Sequence, residues 1–193
     1  MKTKKLFLIL FLLSTIGNLH SLQAQVLQEK DMGAYLLVYF KDTDHALHMA
    51  VSPDGYTFTD VNNGNPVMTG DTIALQKGIR DPHIYRGPDG AFYLTMTDLH
   101  IYAKKAGLRE EEWIRPKEEY GWGNNRALVL MKSNDLIHWT RANIRIDQLS
   151  PELAEIGCAW APEAIYDEEK EKMMIYFTMR FRNEEAKMYY VYT

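Results

Sequence analysis

The sequence predicts an all-β protein assembled from four-stranded blades of the propeller type. Short runs rich in β-branched and aromatic residues recur along most of the 193-residue chain, and such residues favour strands. Asp-Gly pairs at positions 54–55 and 89–90 separate neighbouring runs, as expected for hairpins. A motif also recurs at a constant spacing, which indicates a repeated structural unit.

The predicted strands follow one another without an intervening long helix. They cover residues 35–40, 46–51, 56–59, 83–85, 91–96, 127–131, 138–140, 164–166, 173–178 and 188–192. Helical periodicity is plausible only around residues 108–119, where charged residues cluster. The pattern therefore predicts a meander of antiparallel hairpins.

The repeat is visible in the pattern Ser-x-Asp-x-x-x-aromatic-Thr, which begins at Ser52 and again at Ser133, 81 positions later. Residues 82–85 match residues 163–166 at the same shift. Two matches at one spacing predict a unit of about four strands, which is the size of a propeller blade.

Residues before the repeated unit supply three strands of an earlier blade. Residues after it begin a third blade that stops at Thr193 with its fourth strand missing. Because blades bury their apolar faces against neighbouring blades, two to three of them do not make a closed propeller. We therefore expect residues 25–193 to be a partial propeller domain, truncated at the C-terminus.

Residues 1–24 have the organisation of a secretory signal peptide. Three lysines stand within residues 2–5, a mostly apolar run covers residues 6–16, and Ala24 precedes the expected cleavage point. A transmembrane anchor is the rival interpretation, but the apolar run is short for a hydrocarbon layer of about 30 Å. We expect a secreted or periplasmic protein that is not inserted in the membrane after cleavage.

Composition excludes several classes of function. The net charge is −4 without a basic block, which argues against nucleic acid as a partner. The single cysteine, Cys158, lies among apolar residues and is expected to be a buried small hydrophobe. The histidines lack a metal-ligand spacing, and no phosphate-binding loop or nucleophile elbow is present.

A long insertion, residues 99–125, interrupts the repeated unit between its second and third strands. It contains Trp113, Tyr120 and Trp122 among glycines and asparagines. Loops on a rigid scaffold commonly carry binding residues. A surface loop whose aromatic side chains pack back onto the blade is the equally open alternative.

The strongest candidate for chemistry is Asp81, which stands between Arg80 and Pro82 at the start of a predicted inner strand. Proline disfavours the helical region for the residue before it, so Asp81 is expected to be extended, with its side chain at the rim of a central funnel. An ionised carboxylate there could activate a water molecule. On the residues alone, an Asp-Pro turn whose carboxylate accepts backbone N–H bonds remains the alternative.

An ordered set of motifs carries a family resemblance. Residues 80–85 read Arg-Asp-Pro-His-Ile-Tyr, residues 87–94 read Gly-Pro-Asp-Gly-Ala-Phe-Tyr-Leu, and residues 158–166 read Cys-Ala-Trp-Ala-Pro-Glu-Ala-Ile-Tyr. Together with the Ser-x-Asp-Leu-x-x-Trp motif at residues 133–139, this set resembles glycoside hydrolase family 43. The resemblance spans roughly residues 34–193 and implies a five-bladed β-propeller enzyme that degrades arabinan or xylan.

The resemblance implies roles for individual residues. Asp81 matches the family's general base, and Trp160 opens the motif that begins the next blade. The predicted substrate-binding residues are Arg80, His83, Trp122, Trp160 and Glu163. For Glu163, which follows the proline of Trp-Ala-Pro instead of preceding a proline, a structural role is the open alternative.

Two departures from the family pattern concern position and completeness. A three-strand segment precedes the Asp-Pro element, which usually lies close to the mature N-terminus in that family. The family also needs an Asp and a Glu in later blades, and neither has a counterpart before Thr193. We expect the 193-residue chain alone to bind sugar weakly without useful turnover.

The implied reaction is a single displacement with inversion at the anomeric carbon. The alternatives are a fructan hydrolase, whose Trp-x-Asn-Asp-Pro start this chain lacks, a glycoside phosphorylase, and a non-catalytic sugar-binding propeller. The resemblance implies no cofactor, although it is compatible with a structural calcium ion, and it implies a monomer when the propeller is complete.

Overall fold

The computed structural model describes residues 29–108, 113, 115–122 and 125–193. These residues form an all-β structure of ten strands in three antiparallel sheets. The predicted signal peptide, residues 1–24, lies outside the described residues. No helix of the described residues combines the length and the apolar character that crossing a bilayer requires.

The strands are numbered in chain order and divide among the sheets as a simple meander. The first sheet contains β1 (Tyr35–Phe40), β2 (Leu47–Ser52) and β3 (Thr59–Asp60). The second contains β4 (Ile79–Arg86), β5 (Phe92–Asp98), β6 (Ala127–Ser133) and β7 (Trp139–Arg145). The third contains β8 (Ile156–Asp167), β9 (Lys172–Phe181) and β10 (Lys187–Tyr192).

Helical structure is confined to short turns. The two α-helical turns are α1 (Gly70–Ile73) and α2 (Lys117–Tyr120), and the 3₁₀ turns are Glu29–Asp31, Val61–Gly64, Ile146–Gln148 and Pro151–Leu153. Of the predicted helical segment, residues 108–119, residues 109–112 and 114 lie outside the described residues, and α2 covers its last three positions. Pro116 precedes α2 and Gly121, with a φ of 64°, ends it.

The first strands of successive sheets lie side by side. β1 contacts β4, and β4 contacts β8, while β5 also packs against β8. Each sheet then continues outward by hairpins between strands that are consecutive in the chain. None of the three sheets closes on itself.

The turns that follow β2 and β6 confirm that the repeated motif is a structural repeat. Ser52 Oγ donates to Asp54 Oδ1 at 2.8 Å, and Ser133 Oγ donates to Asp135 Oδ1 at 3.1 Å. In both turns the same carboxylate oxygen accepts two backbone N–H groups, at 2.9 and 2.9 Å in the first and at 2.9 and 2.8 Å in the second. The serine and aspartate recur because they satisfy the polar backbone of a tight turn.

The inner strands β4 and β8 repeat at a spacing of 80 residues, one fewer than the 81 residues between the two turns. Pro82 and Pro162 each follow a residue with positive φ, Asp81 at 49° and Ala161 at 51°, and each of these residues lies in an irregularity of its strand. Pro82 therefore corresponds to Pro162, and not to Glu163 as the sequence match implied. The connection from Ser133 to the second bulge is one residue shorter than the connection from Ser52 to the first.

Two apolar clusters hold the sheets together, and the second sheet contributes to both. The cluster between the first and second sheets includes Leu47, Met49, Ile79, Leu94, Met96, Val129 and Met131. The cluster between the second and third sheets includes Leu128, Ile156, Ala164, Ile175, Phe177 and Met179. Leu128 and Val129 belong to opposite clusters because successive side chains of a strand point to opposite faces, so β6 is covered on both sides.

Cys158 is fully buried at the start of β8, as the apolar flanks predicted. Burial raises the pKa of its thiol to about 11, so it stays protonated at neutral pH. This is the behaviour of a small core residue and not of a nucleophile.

Candidate active site

Asp81 lies in a bulge of β4 and has a left-handed backbone conformation. Its φ is 49°, and the strand register shifts between Arg80 and His83 around it. The prediction that Pro82 would hold Asp81 extended is therefore wrong. A positive φ in a non-glycine residue costs about 1–3 kcal/mol and persists only where the surroundings fix it, commonly at functional sites.

The carboxylate of Asp81 is held by the buried hydroxyl of Thr97. Thr97 Oγ1 on β5 donates to Asp81 Oδ2 at 2.8 Å, and it accepts the backbone N–H of Ala161 on β8 at 2.8 Å. The bond to a side-chain hydroxyl differs from what an ordinary Asp-Pro turn would show, in which the carboxylate caps backbone N–H groups. The hydroxyl joins the bulge of β4 to the bulge of β8.

His83 lies on β4 beside the strand that carries Glu163. Its Nδ1 accepts the backbone N–H of Ala164 at 3.3 Å. Burial lowers the pKa of His83, and the opposing charge of Glu163 is a smaller effect that raises it. The ring is therefore neutral at neutral pH, with its hydrogen on Nε2, because Nδ1 acts as the acceptor.

Glu163 occupies the position on β8 that corresponds to His83 on β4. It pairs with Tyr176 on the neighbouring strand β9, and the Tyr176 hydroxyl donates a short hydrogen bond to Glu163 Oε2. This bond is the main cause that raises the pKa of Tyr176. The Glu163 carboxylate is thus oriented by a phenol at the same site.

Trp160 on β8 and Trp122 in the insertion form an aromatic pair. Their ring centroids are 5.3 Å apart, with an interplanar angle of 62°, and Trp122 remains 60% exposed. The Arg180 guanidinium lies 4.8 Å from the Trp122 ring centroid and donates to the carbonyl oxygen of Tyr120 at 2.8 Å. The insertion therefore brings an accessible indole to the start of β8.

Another part of the same insertion is packed against the sheets. Trp113 is 3% exposed, and the guanidinium groups of Arg126 and Arg145 lie 5.3 and 4.2 Å from its ring centroid. Both arginines bind the carboxylate of Asp147, at 2.8 and 2.7 Å. Trp113 therefore packs back onto the sheets, as one of the two interpretations predicted, while the binding role of the insertion stays a prediction.

Arg80 is directed toward the first sheet. Its Nη1 lies 2.5 Å from Asp42 Oδ1, and its guanidinium lies 4.5 Å from the Phe40 ring centroid. Asp81, His83, Trp160 and Glu163 lie on the two adjacent first strands, and Trp122 reaches them from the insertion. Arg80 adjoins this group but is held by the loop after β1.

Several contacts of the site were not predicted from the sequence. Thr97, Tyr176 and Arg180 orient the predicted residues but belong to no motif. Alternating hydroxyls at Thr95 and Thr97 in an otherwise apolar strand were the available signal, since a buried threonine needs a hydrogen-bond partner.

A stacked histidine pair was also missed. The rings of His45 and His100 are parallel, with centroids 4.0 Å apart, and both residues are buried. Gly78 permits the approach, because a Cβ there would lie 2.7 Å from the Cβ of His45 and 2.5 Å from that of His100.

In residues 29–108, 115–122 and 125–193, with Trp113, no three or more His, Cys, Asp or Glu side chains are grouped to hold a metal ion. The structural calcium ion that is compatible with the family resemblance stays a prediction, since calcium also binds backbone carbonyl oxygens and water.

Fold and site together have the features of a carbohydrate-active β-sheet protein. They combine an aspartate in the bulge of β4, a glutamate after the bulge of β8 that Tyr176 orients, and an exposed indole beside Trp160. A family model described as "Probable glycosyl hydrolase domain", related to glycoside hydrolase family 43, matches residues 30–193. The chain belongs to this glycosyl hydrolase family. The resemblance inferred from the motifs is thereby confirmed.

One relative gives a more specific comparison. An alpha-L-arabinofuranosidase of Bifidobacterium longum subsp. longum is 28% identical to the chain over 141 residues. The match covers 69% of this chain and 12% of the relative. The chain therefore spans only a small part of the length of that protein.

Proposed function

We propose that this protein is an exported glycoside hydrolase that cleaves O-glycosidic bonds of arabinose- or xylose-containing saccharides. The observation that carries the proposal is the Asp81 carboxylate, held in a strained bulge at the start of β4 in a chain of the glycosyl hydrolase family. The arabinofuranosidase relative favours arabinose as the sugar.

The three sheets are, in this proposal, successive blades of a five-bladed propeller. Two features support it. β4 and β8, the first strands of the second and third sheets, adjoin each other. The turn after the third strand of the second sheet recurs after the second strand of the first sheet, so that β1 corresponds to β5. Side-by-side first strands would line a central funnel. Asp81 would then face substrate from the funnel wall.

In the proposed reaction Asp81 acts as general base. It removes a proton from a water molecule that attacks the anomeric carbon, and the configuration at that carbon is inverted. A second carboxylic acid must protonate the departing oxygen from about 6.5–9.5 Å away, which leaves room for the water. Glu163, held by Tyr176, is assigned to substrate contact and orientation.

The aromatic pair is proposed to bind the sugar ring. Trp122 and Trp160 offer apolar faces to the C–H groups of a sugar, while their edges remain near water. His83 can donate a hydrogen bond from Nε2 to a sugar hydroxyl, and Arg80 can donate from the rim. These contacts would position the glycosidic bond relative to Asp81.

Export follows from residues 1–24 acting as a cleaved signal peptide. N-terminal sequencing of the exported protein tests this, and a mature chain that does not begin near Gln25 would contradict it.

The direct test is the substitution Asp81→Asn in the natural gene product. We expect kcat on arabinofuranosides or xylosides to fall by about 10²–10⁴-fold, the usual contribution of a general base, while oligosaccharide affinity changes little. Asp54→Asn, in a surface turn, is the matched control and should keep wild-type turnover. Undiminished turnover by Asp81→Asn would exclude Asp81 as the base.

A sugar-binding protein without catalysis is the second candidate. The exposed Trp122 ring beside Trp160 favours it, because this surface can bind sugar without any acid or base. Calorimetric binding of arabino-oligosaccharides without release of products by the natural gene product would support this candidate. Turnover that requires phosphate would instead indicate a glycoside phosphorylase.

A further inference from the structure

We propose that Thr97 is a positioning residue for Asp81, and that its hydroxyl orients the carboxylate through a one-way hydrogen-bond chain from the neighbouring sheet. The inference rests on the proposed function, in which Asp81 is the general base. It adds a residue that no motif contains, on a strand other than the one that carries Asp81.

The backbone N–H of Ala161 determines the direction of the hydrogen-bond chain. The backbone N–H of Ala161 can only donate, and it lies 2.8 Å from Thr97 Oγ1. The threonine oxygen therefore accepts at that position, and its single hydrogen points to Asp81 Oδ2, 2.8 Å away. Because Thr97 is fully buried, solvent does not compete for either bond.

The two carboxylate oxygens of Asp81 have different roles in this geometry. Oδ2 accepts the hydrogen of the Thr97 hydroxyl, so Oδ1 is the oxygen assigned to take the proton from the attacking water. Thr97 thus selects the reactive oxygen of Asp81.

The same hydroxyl joins the two strained residues of the site. Asp81 and Ala161 have φ values of 49° and 51°, and each precedes a proline, which normally disfavours such a conformation. Strained conformations persist where surrounding contacts determine them. Thr97 touches both residues, so it couples the bulge of β4 to that of β8.

Thr95 provides an internal comparison on the same strand. It lies two residues before Thr97, is also buried, and donates from Oγ1 to the carbonyl oxygen of Pro162 at 2.6 Å. It therefore faces the same neighbouring strand and closes the same interface. The Thr95 hydroxyl, however, donates its hydrogen bond to a backbone carbonyl and not to Asp81.

The experiment compares Thr97→Val, Thr97→Ser and Thr95→Val in the natural gene product. Thr97→Val should lower kcat by about 10- to 100-fold, the range for a lost hydrogen bond to a charged group, with little change in KM. Thr97→Ser, which keeps the hydroxyl, should restore the wild-type kcat.

Thr95→Val is the matched control, because it removes a hydroxyl from the same face of the same strand. It should lose thermal stability to an extent similar to Thr97→Val but keep the wild-type kcat. If Thr97→Val does not fold, Thr97→Cys retains the size with only a weak donor. The same loss of kcat is then expected for this variant.

An unchanged kcat in Thr97→Val would overturn the inference, as would an equal loss of kcat in Thr95→Val. A failure of the proposed function is distinguishable from both outcomes. In that case Asp81→Asn itself retains turnover, whatever the Thr97 variants do.

Discussion

At the scale of single residues, Asp81 is held by two different parts of the molecule. The irregularity in β4 contains its backbone, although Pro82 favours an extended predecessor, while the hydroxyl of Thr97 on β5 holds its side chain. A carboxylate fixed in this way needs little reorganisation when charge develops during reaction. This preorganisation is the physical basis for assigning chemistry to Asp81.

His45 is a second residue whose surroundings make a measurable prediction. Burial, with the nearby His100 and Arg80, lowers the pKa of His45 to about 4 from an ordinary 6.5. Between these values the unfolded chain takes up a proton at His45 and the folded protein does not. The free energy of unfolding must therefore decrease as the pH falls from 6.5 to about 4.

The substitution His45→Gln should reduce this pH dependence. Denaturant unfolding measured at several pH values between 4 and 7 should show a shallower slope for the variant than for the wild type, whatever its stability at pH 7. A residual slope of the same sign is expected from His83, whose pKa is also lowered by burial. Parallel curves for variant and wild type would show that His45 does not carry this effect.

At the scale of elements, the insertion between β5 and β6 combines an anchor with an exposed tip. Trp113 is fixed between two arginines that share the Asp147 carboxylate. Burial raises the pKa of Asp147, but hydrogen bonding and charge from Arg145 and Arg126 outweigh burial and hold the pKa below its ordinary value. Asp147 therefore remains ionised and keeps both arginines in place at neutral pH.

The two tryptophans of the insertion should respond differently to truncation. Trp122→Ala should weaken oligosaccharide binding with little loss of stability, because the indole is largely exposed. Trp113→Ala should instead destabilise the fold by about 3–5 kcal/mol, the usual effect of removing a buried Trp side chain. Calorimetric titration and denaturant unfolding of the two variants separate these effects, and unchanged affinity in Trp122→Ala would remove Trp122 from the binding site.

The elements also show which parts of the structure were predictable. The turns at Ser52 and Ser133 were predicted, since their side chains bond to backbone groups two or three residues away. The bulge at Asp81 was not, because proline favours an extended predecessor locally and the contact that overrides this preference comes from Thr97 on another strand.

At the scale of the whole molecule, the three sheets form a layered row in which the second sheet is covered on both faces. Its strand β6 sends alternate side chains into the two apolar clusters. The first strands β1, β4 and β8 adjoin at one side of this row. Residues at the starts of β4 and β8 therefore meet, although 80 positions separate Asp81 from Ala161.

Long-range pairs of this kind mark the limit of what the sequence predicts. Asp81, Trp160 and Glu163 were found because they stand in motifs. The stacking of His45 on His100 and the bridge of Thr97 to Ala161 depend on how sheets pack. No local pattern contains that information, so the predicted site lacked the residues that orient it.

The central claim is that Asp81 directs water at a sugar bound across the starts of β4 and β8. A crystal structure of the Asp81→Asn gene product with an arabino-oligosaccharide tests it most directly. We predict a sugar ring against Trp122 and Trp160, with one water molecule between side chain 81 and the anomeric carbon. An oligosaccharide bound elsewhere, or a residue 81 side chain that faces away from the bound sugar, would contradict the account.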